Sequence, residues 1–155
     1  MVRPELADRS AKVRAGAVAA LGSMPRVAEA EGAAAQALSD EAPEVLAAAA
    51  RCVAAQRQRG KAKALALLLS HGAPGVRAAA AEGLGVLDDA STAKALGERL
   101  ESDPDALVRL AAARALGIIG GPFAASSLTA AAGKDGDDKV RYVANESLRR
   151  LGFRR

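Results

Sequence analysis

Apolar residues recur along this chain at helical spacing, and the spacing itself recurs. Aligned on a valine that is usually followed by arginine, Val13-Arg14, Val45-Leu46, Val76-Arg77, Val108-Arg109 and Val140-Arg141 follow one another at intervals of 32, 31, 32 and 32 residues. Alanine stands four residues after each valine (Ala17, Ala49, Ala80, Ala112, Ala144), and an apolar residue stands eight after it (Leu21, Val53, Leu84, Leu116, Leu148). Offsets of four and eight share one helical face. Five residues before each valine comes Asp8, Asp40, His71, Asp103 or Asp135. Columns held in register over five copies define an internal repeat, each copy a helix, a short turn and a second helix.

The punctuation agrees with that division. Pro4, Pro25, Pro43, Pro74, Pro104 and Pro122 fall where helices should begin, because a first-turn proline lacks only a donor that would be unpaired anyway. Gly22, Gly85 and Gly117 directly follow the apolar residue at offset eight, where a left-handed glycine would close a helix. Gly60 and Gly152 are expected to do the same slightly later. Second helices are predicted at 11–21, 43–58, 75–84, 105–116 and 138–151, and first helices at 26–38, 61–70, 90–101 and 122–132. The first copy has only a stub, Pro4 to Ala7, before its second helix. One domain over 1–155 is expected, with repeats at about 1–22, 23–58, 59–86, 87–118 and 119–155. A lone pair cannot bury its apolar face, so neighbouring copies must stack.

Composition narrows the class to all-α. Half of the 155 residues are hydrophobic but only 2% are aromatic, and an alanine-rich chain favours helix over strand. The net charge of +4 is modest, short of a composition dedicated to polyanions. Cys52 is the single cysteine, so no internal disulfide forms, in keeping with a reducing compartment. No uninterrupted apolar run reaches membrane-spanning length, and Met1 to Pro4 lacks the pattern of a secretory signal. A cytoplasmic protein with no membrane association is the expectation.

The pattern Asp, four residues, Val-Arg, two residues, Ala, three residues, Leu-Gly resembles HEAT repeats. It is fullest from Asp103 to Gly117, through Val108, Arg109, Ala112 and Leu116. The short period looks like that of the HEAT-like repeats of phycobilisome lyases. The resemblance covers almost the whole chain and implies a right-handed α-solenoid of about five HEAT-like helix pairs, the first truncated. Repeat two departs from it at Leu46 and Ala54, repeat three at His71, and repeat five at Arg149. In such repeats the arginine pairs with aspartates of its own and adjacent repeats. The resemblance thus makes Asp8, Arg14, Asp40, Arg77, Asp103, Arg109, Asp135 and Arg141 a structural ladder, in preference to a basic row for phosphates.

Candidate chemistry changes little. His71 and Cys52 stand one repeat apart and at different heights of their helices, so a nucleophile–base pair is not expected. Neither has companions at zinc-ligand spacing. Asp135, Asp137 and Asp138 lack the spacing of a calcium loop and read as a turn and helix cap. Gly117 to Gly121 has neither the lysine nor the preceding strand of a phosphate loop. No catalytic residue, cofactor or metal is expected, and the chain does not read as an enzyme.

Binding remains. Counted from each valine, offsets two, three, six and seven on the second helices are predicted to point away from the core, toward the concave side. They supply Ala47, Ala48, Arg51 and Cys52; Ala78, Ala79, Glu82 and Gly83; Leu110, Ala111, Arg114 and Ala115; Tyr142, Val143, Glu146 and Ser147. Arg51, Glu82, Leu110, Arg114, Tyr142, Val143 and Glu146 are the candidate partner-binding residues, with the centre at repeats four and five. Exposed clustered apolar residues mark interaction sites, and tyrosine and arginine dominate interface energies. A protein partner is the leading expectation. A bilin lyase or isomerase subunit, implied by the resemblance alone, is an alternative. A nucleic-acid binder using the basic clusters Arg57, Arg59, Lys61, Lys63 and Arg149, Arg150, Arg154, Arg155 is another, disfavoured by the scarcity of stacking aromatics. The truncated first repeat should leave Leu6, Val13, Ala17 and Leu21 as an apolar flank, either because the chain was cut from a longer protein or because another molecule covers it. Self-association through this edge is the form of cover considered.

Overall fold

The computed structural model describes residues 4–25 and 27–152. Phe153 and the basic residues Arg154 and Arg155 lie outside them, as does Arg26 at the expected start of a first helix. Nine α-helices run through the described residues: α1 (Ala11–Gly22), α2 (Ala28–Ala37), α3 (Pro43–Ala55), α4 (Ala62–Leu68), α5 (Pro74–Leu87), α6 (Ala93–Ser102), α7 (Ala106–Ile119), α8 (Gly121–Lys134) and α9 (Asp138–Arg150). The stub Pro4–Ala7 is a single 3-10 turn packed on α1. Two more 3-10 turns, Arg59–Lys61 and Ala90–Thr92, lead into α4 and α6.

The helices form two layers. α1, α3, α5, α7 and α9 pack successively side by side, and α2, α4, α6 and α8 lie across them. The result is an α-solenoid of helix pairs whose first pair is truncated. Its core is the set of repeating columns. Val45, Val76, Val108 and Val140 are no more than 1% exposed, and Ala49, Ala80, Ala112 and Ala144 are fully enclosed. Val13 occupies the same column yet is 41% exposed, because among the described residues only the Pro4–Ala7 turn stands where a first helix would cover that face. Of the expected N-terminal flank, Leu21 is buried, whereas Leu6 and Ala17 are half-covered.

The first helices contribute leucines to this core: Leu65 and Leu69 beside α5, Leu96 and Leu100 from α6, and Leu128 from α8, each 2% exposed or less. Burying each is worth roughly 1.5–3 kcal/mol. The α2 sequence carries no apolar residue larger than alanine, with Ala30 and Ala34 buried. A cavity of about 590 Å³ therefore remains under it, lined among others by Leu6, Val18, Leu21, Ala33 and Val45.

Glycine plays a different part from the one expected. Gly22, Gly85 and Gly117 do not close helices in a left-handed conformation. Gly85 and Gly117 lie inside α5 and α7, and Gly22 is the last residue of α1. They sit where neighbouring second helices cross. A Cβ on Gly85 would come within 2.8 Å of the Ala115 Cα, and one on Gly117 within 2.5 Å of the Ser147 Cβ. Positive φ recurs three positions later, at Arg57, Asp88, Gly120 and Gly152, each twelve residues after its valine, and extends to Gly121 after α7. Gly60 shows no positive φ and belongs to a 3-10 turn.

Candidate protein-binding groove

The turns between first and second helices are fixed by one recurrent device. In each, the residue five before the valine accepts a hydrogen bond from the amide two residues on. The acceptor is Oδ1 of Asp8, Asp40, Asp103 or Asp135, at 2.7, 2.9, 3.0 and 2.9 Å. In His71 it is Nδ1, at 3.0 Å from the Ala73 amide. The histidine thus keeps the turn-closing bond of the aspartate it replaces.

The arginines join one turn to the next. Arg14 donates Nε and Nη2 to the two carboxylate oxygens of Asp40 at 2.8 and 2.9 Å. Arg77 grips Asp103 at 2.7 and 2.9 Å, and Arg109 grips Asp135 at 2.8 and 3.0 Å. Each Nη1 meanwhile donates to main-chain carbonyls of its own turn: Asp8 for Arg14, His71 and Gly72 for Arg77, and Asp103 for Arg109. The arginine of one repeat therefore holds the carboxylate of the following repeat, and only carbonyls of its own. Asp8, at the start of the stack, receives no side-chain bond from an arginine among the described residues. Arg141, at the other end, bonds the Asp135 carbonyl and pairs with Asp138.

These contacts set the carboxyl chemistry. Bonds from Arg14 hold the Asp40 carboxyl below the usual carboxylate range against a smaller opposing effect of burial. For Asp103 and Asp135, burial is the largest single influence and acts upward. The hydrogen bonds and charges of Arg77 and Arg109, with the turn amides, outweigh it and leave both carboxyls lowered. Burial pushes the Cys52 thiol up to about 11, which leaves it a poor nucleophile at neutral pH. Among the described residues no group of three or more histidine, cysteine or acidic side chains is placed to hold a metal ion.

The second helices contact one another along the whole stack, and theirs is the layer that the repeat pattern assigns to the concave side. On that side the predicted exposed positions divide into two sets. Offsets three and seven, Val143 excepted, are not exposed as expected. Ala48, Cys52, Ala79, Gly83, Ala111, Ala115 and Ser147 are buried, and Ala47, at offset two, is also covered. The reason is that each second helix packs against its neighbours as well as against its own pair. Ser147 satisfies its hydroxyl there by donating to the Ala113 carbonyl at 3.2 Å.

Offsets two and six, with Val143 at offset three, carry the open surface. Leu110 and Val143 are half-buried, Arg114 is exposed, and Tyr142 is 65% exposed. These four, with Asp138 and Lys139, line a groove of about 470 Å³ between α7 and α9. Arg51 and Glu82 lie outside it, 3.8 Å apart as an exposed ion pair. Glu146 pairs with Arg149 and does not line the groove. Three apolar residues of the same face were not anticipated: Leu107 is 69% exposed, Ile118 54% and Val86 39%. Leu107, Leu110, Arg114 and Ile118 share one stripe of α7. Extending the offsets by one helical turn in each direction would have found them.

The basic turn around Gly60 holds Arg57, Arg59 and Lys63 exposed and Lys61 half-buried. Asp88 and Asp89 occupy the corresponding turn of the next pair, and the charge of Lys63 reaches Asp89. The cluster therefore has acidic neighbours. No helix among the described residues is long and apolar enough to cross a membrane.

Stacked helix pairs tied by inter-repeat arginine–aspartate contacts, with a groove on their inner layer, define a helical-repeat solenoid. The sequence places it more narrowly: a family model for HEAT repeats matches residues 62–149, more than half of the chain, and the protein belongs to the HEAT-repeat family. No curated protein sequence matches it. Among solved structures it is similar to the complex of CpcE and CpcF of phycocyanin lyase from Nostoc sp., with a TM-score of 0.81 at 23% identity over 96% of this chain. That match spans 62% of the lyase chain. A designed armadillo repeat protein gives 0.65 at 19% identity, covering 96% of this chain and 79% of its own. Human deoxyhypusine hydroxylase in complex with glycerol gives 0.57 at 19% identity, covering 95% and 82%. At these identities the likenesses concern the fold.

Proposed function

We propose that this chain, as a single repeat domain over 1–155, is a protein-interaction scaffold rather than an enzyme, and that it binds its partner on the inner face of the solenoid, in the groove between α7 and α9. The observation that carries the reading is the exposure of Tyr142 beside Leu110, Val143 and Arg114. A large apolar ring left in water next to aliphatic side chains gains by desolvation when a partner covers it. Tyrosine also loses little conformational freedom for the contact area it supplies, and the planar guanidinium of arginine loses little per hydrogen bond it forms. The rigid ladder holds the groove walls at fixed spacing, so ordering cost falls mainly on the partner.

The test compares wild type with Leu110→Glu/Tyr142→Ala. Proteins of the source cell retained on the immobilised wild-type chain are identified, purified and titrated against both forms. Loss of binding in the double variant supports the groove. Equal affinity in both would falsify the assignment.

The likeness to the CpcE–CpcF complex favours a second reading, a bilin lyase-type subunit that works beside another HEAT-like chain. Mixing the protein with a free bilin and recording the absorption spectrum separates the two, because a scaffold without a chromophore site leaves the spectrum unchanged. A nucleic-acid-binding reading has less support, since Asp88 and Asp89 sit beside the basic turn. It predicts binding to a duplex probe that weakens steeply with salt.

A further inference from the structure

We infer that the groove is built for one kind of partner, an acidic amphipathic helix; the inference rests on the scaffold reading and adds the chemistry of what is bound. The argument starts from the charges of the inner row. Glu82 is engaged by Arg51, Glu146 by Arg149 and Asp138 by Arg141. Both acidic residues that flank Arg114 along the row are thus held by other arginines. Arg114 and Lys139 have no ion-pair partner among the described residues, and both line the groove. The groove is therefore positive in effect and its walls are apolar.

Position sharpens this. Leu110, Arg114 and Ile118 follow at four-residue steps on α7, about 6 Å apart along the axis. The cation stands between two aliphatic side chains, with Tyr142 and Val143 opposite on α9. A complementary helix presents an apolar residue, a carboxylate and a second apolar residue at i, i+4 and i+8, as helix-in-groove recognition requires. The carboxylate takes two hydrogen bonds from the planar guanidinium. A basic helix with the same apolar residues would bring like charges together.

Tyr142 is the only tyrosine, and the chain has no tryptophan, so its fluorescence reports on the groove directly. The probes are helical peptides of about sixteen residues, long enough to hold a helix, with Leu, Glu and Leu at the stated spacing and no aromatic residue. A second peptide replaces the glutamate with lysine. The glutamate peptide should change Tyr142 emission saturably and bind the wild type at least about tenfold more tightly than the lysine peptide. Arg114→Gln should remove the preference and Arg114→Glu should reverse it, both with an unchanged helical circular dichroism spectrum, since Arg114 is exposed. Equal binding of both peptides by the wild type overturns the charge assignment while leaving an apolar groove. Binding of neither peptide overturns the helical partner. The scaffold reading stands or falls separately on the Leu110→Glu/Tyr142→Ala comparison with a purified partner.

Discussion

Replacing Asp103 with asparagine removes one charge from the most enclosed rung of the ladder and leaves the shape almost unchanged. The Asp103 side chain has no exposure and that of Arg77 only 10%. Asparagine can still accept the Asp105 amide and one arginine N–H. Its amide group then meets the second arginine donor, so one of the two short contacts at 2.7 and 2.9 Å is lost. The Arg77 charge stays buried without its counter-ion, which typically costs 3–5 kcal/mol. Because Arg77 keeps two carbonyl acceptors at 2.9 Å, the lower end, about 3 kcal/mol, is expected. With a urea slope of roughly 2 kcal/mol per molar, the unfolding midpoint read by far-ultraviolet circular dichroism falls by roughly 1.5 M. Asp135→Asn should cost less, and Asp40→Asn least, following carboxylate exposures of 5% and 16%. The pH dependence has a fixed sign. The Asp103 carboxyl is lowered in the folded protein, so its contribution is complete above the unfolded value of about 3.9 and fades as pH falls through the folded one. The deficit of Asp103→Asn against wild type is therefore full at pH 7 and shrinks below about pH 4. A deficit no larger than that of Asp40→Asn, or one equally large at pH 3, would refute the reasoning.

Four further substitutions probe the packing. Arg57 holds a φ of 51° in the column otherwise occupied by Asp88 and two glycines; Arg57→Gly should stabilise by about 0.5–1 kcal/mol in chemical denaturation, and a loss would show that the turn prefers the arginine side chain. Gly85→Ala should destabilise by about 1 kcal/mol or more, because the 2.8 Å approach to Ala115 outweighs the better helix propensity of alanine. Gly16→Ala, where a Cβ would meet nothing, should instead gain up to about 1 kcal/mol, and equal gains at both sites would remove the close approach from the account. Ala33 lines the cavity under α2, at the position held by Leu96 and Leu128 in later repeats; Ala33→Leu should raise the calorimetric melting temperature by a few degrees, about 1 kcal/mol of filled space, and a fall would mean that the cavity is too constricted for leucine.

What the sequence made legible was whatever is local to one helix. The valine, alanine and leucine columns are residues i, i+4 and i+8, so they could be read without knowing what lies beyond, and they form the core. The ends of the helices were harder. Glycine directly after the apolar residue at offset eight looks like a cap, yet α5 and α7 run on for two residues past it. The left-handed position falls at offset twelve, where Arg57 and Asp88 carry no conformational signature. The inner surface was read half correctly for a similar reason. A second helix contacts its pair partner and also its neighbours on either side, so offsets three and seven, Val143 apart, are lost to burial. A single helix shows its periodicity but not how many faces are covered. Leu107, Ile118 and Val86 escaped because the exposed stripe continues past the four offsets considered.

The departures from the repeat become intelligible only when residues are compared across neighbouring copies. Within a column, Leu46 is a missing arginine, His71 a missing aspartate and Ala54 a missing glycine, three unrelated defects. Across the junction between α3 and α5 they are paired. The arginine of each repeat binds the carboxylate of the next, so Leu46 and His71 are the two ends of one absent rung, removed together, and neither charge is stranded. Leu46 is buried at 5% exposure, and His71 retains the turn bond. Glycine is likewise exchanged between the partners of one crossing. Gly22, Gly85 and Gly117 meet Cys52, Ala115 and Ser147 of the next second helix, whereas at this junction Ala54 meets Gly83, 3.5 Å from where its Cβ would lie. The one 31-residue interval, Val45 to Val76, falls at the same place, and the stretch matched by the family model begins within it, at residue 62. The constraint on this chain is therefore carried by contacts between repeats. A residue that breaks its column is tolerated where the residue facing it in the next repeat changes with it.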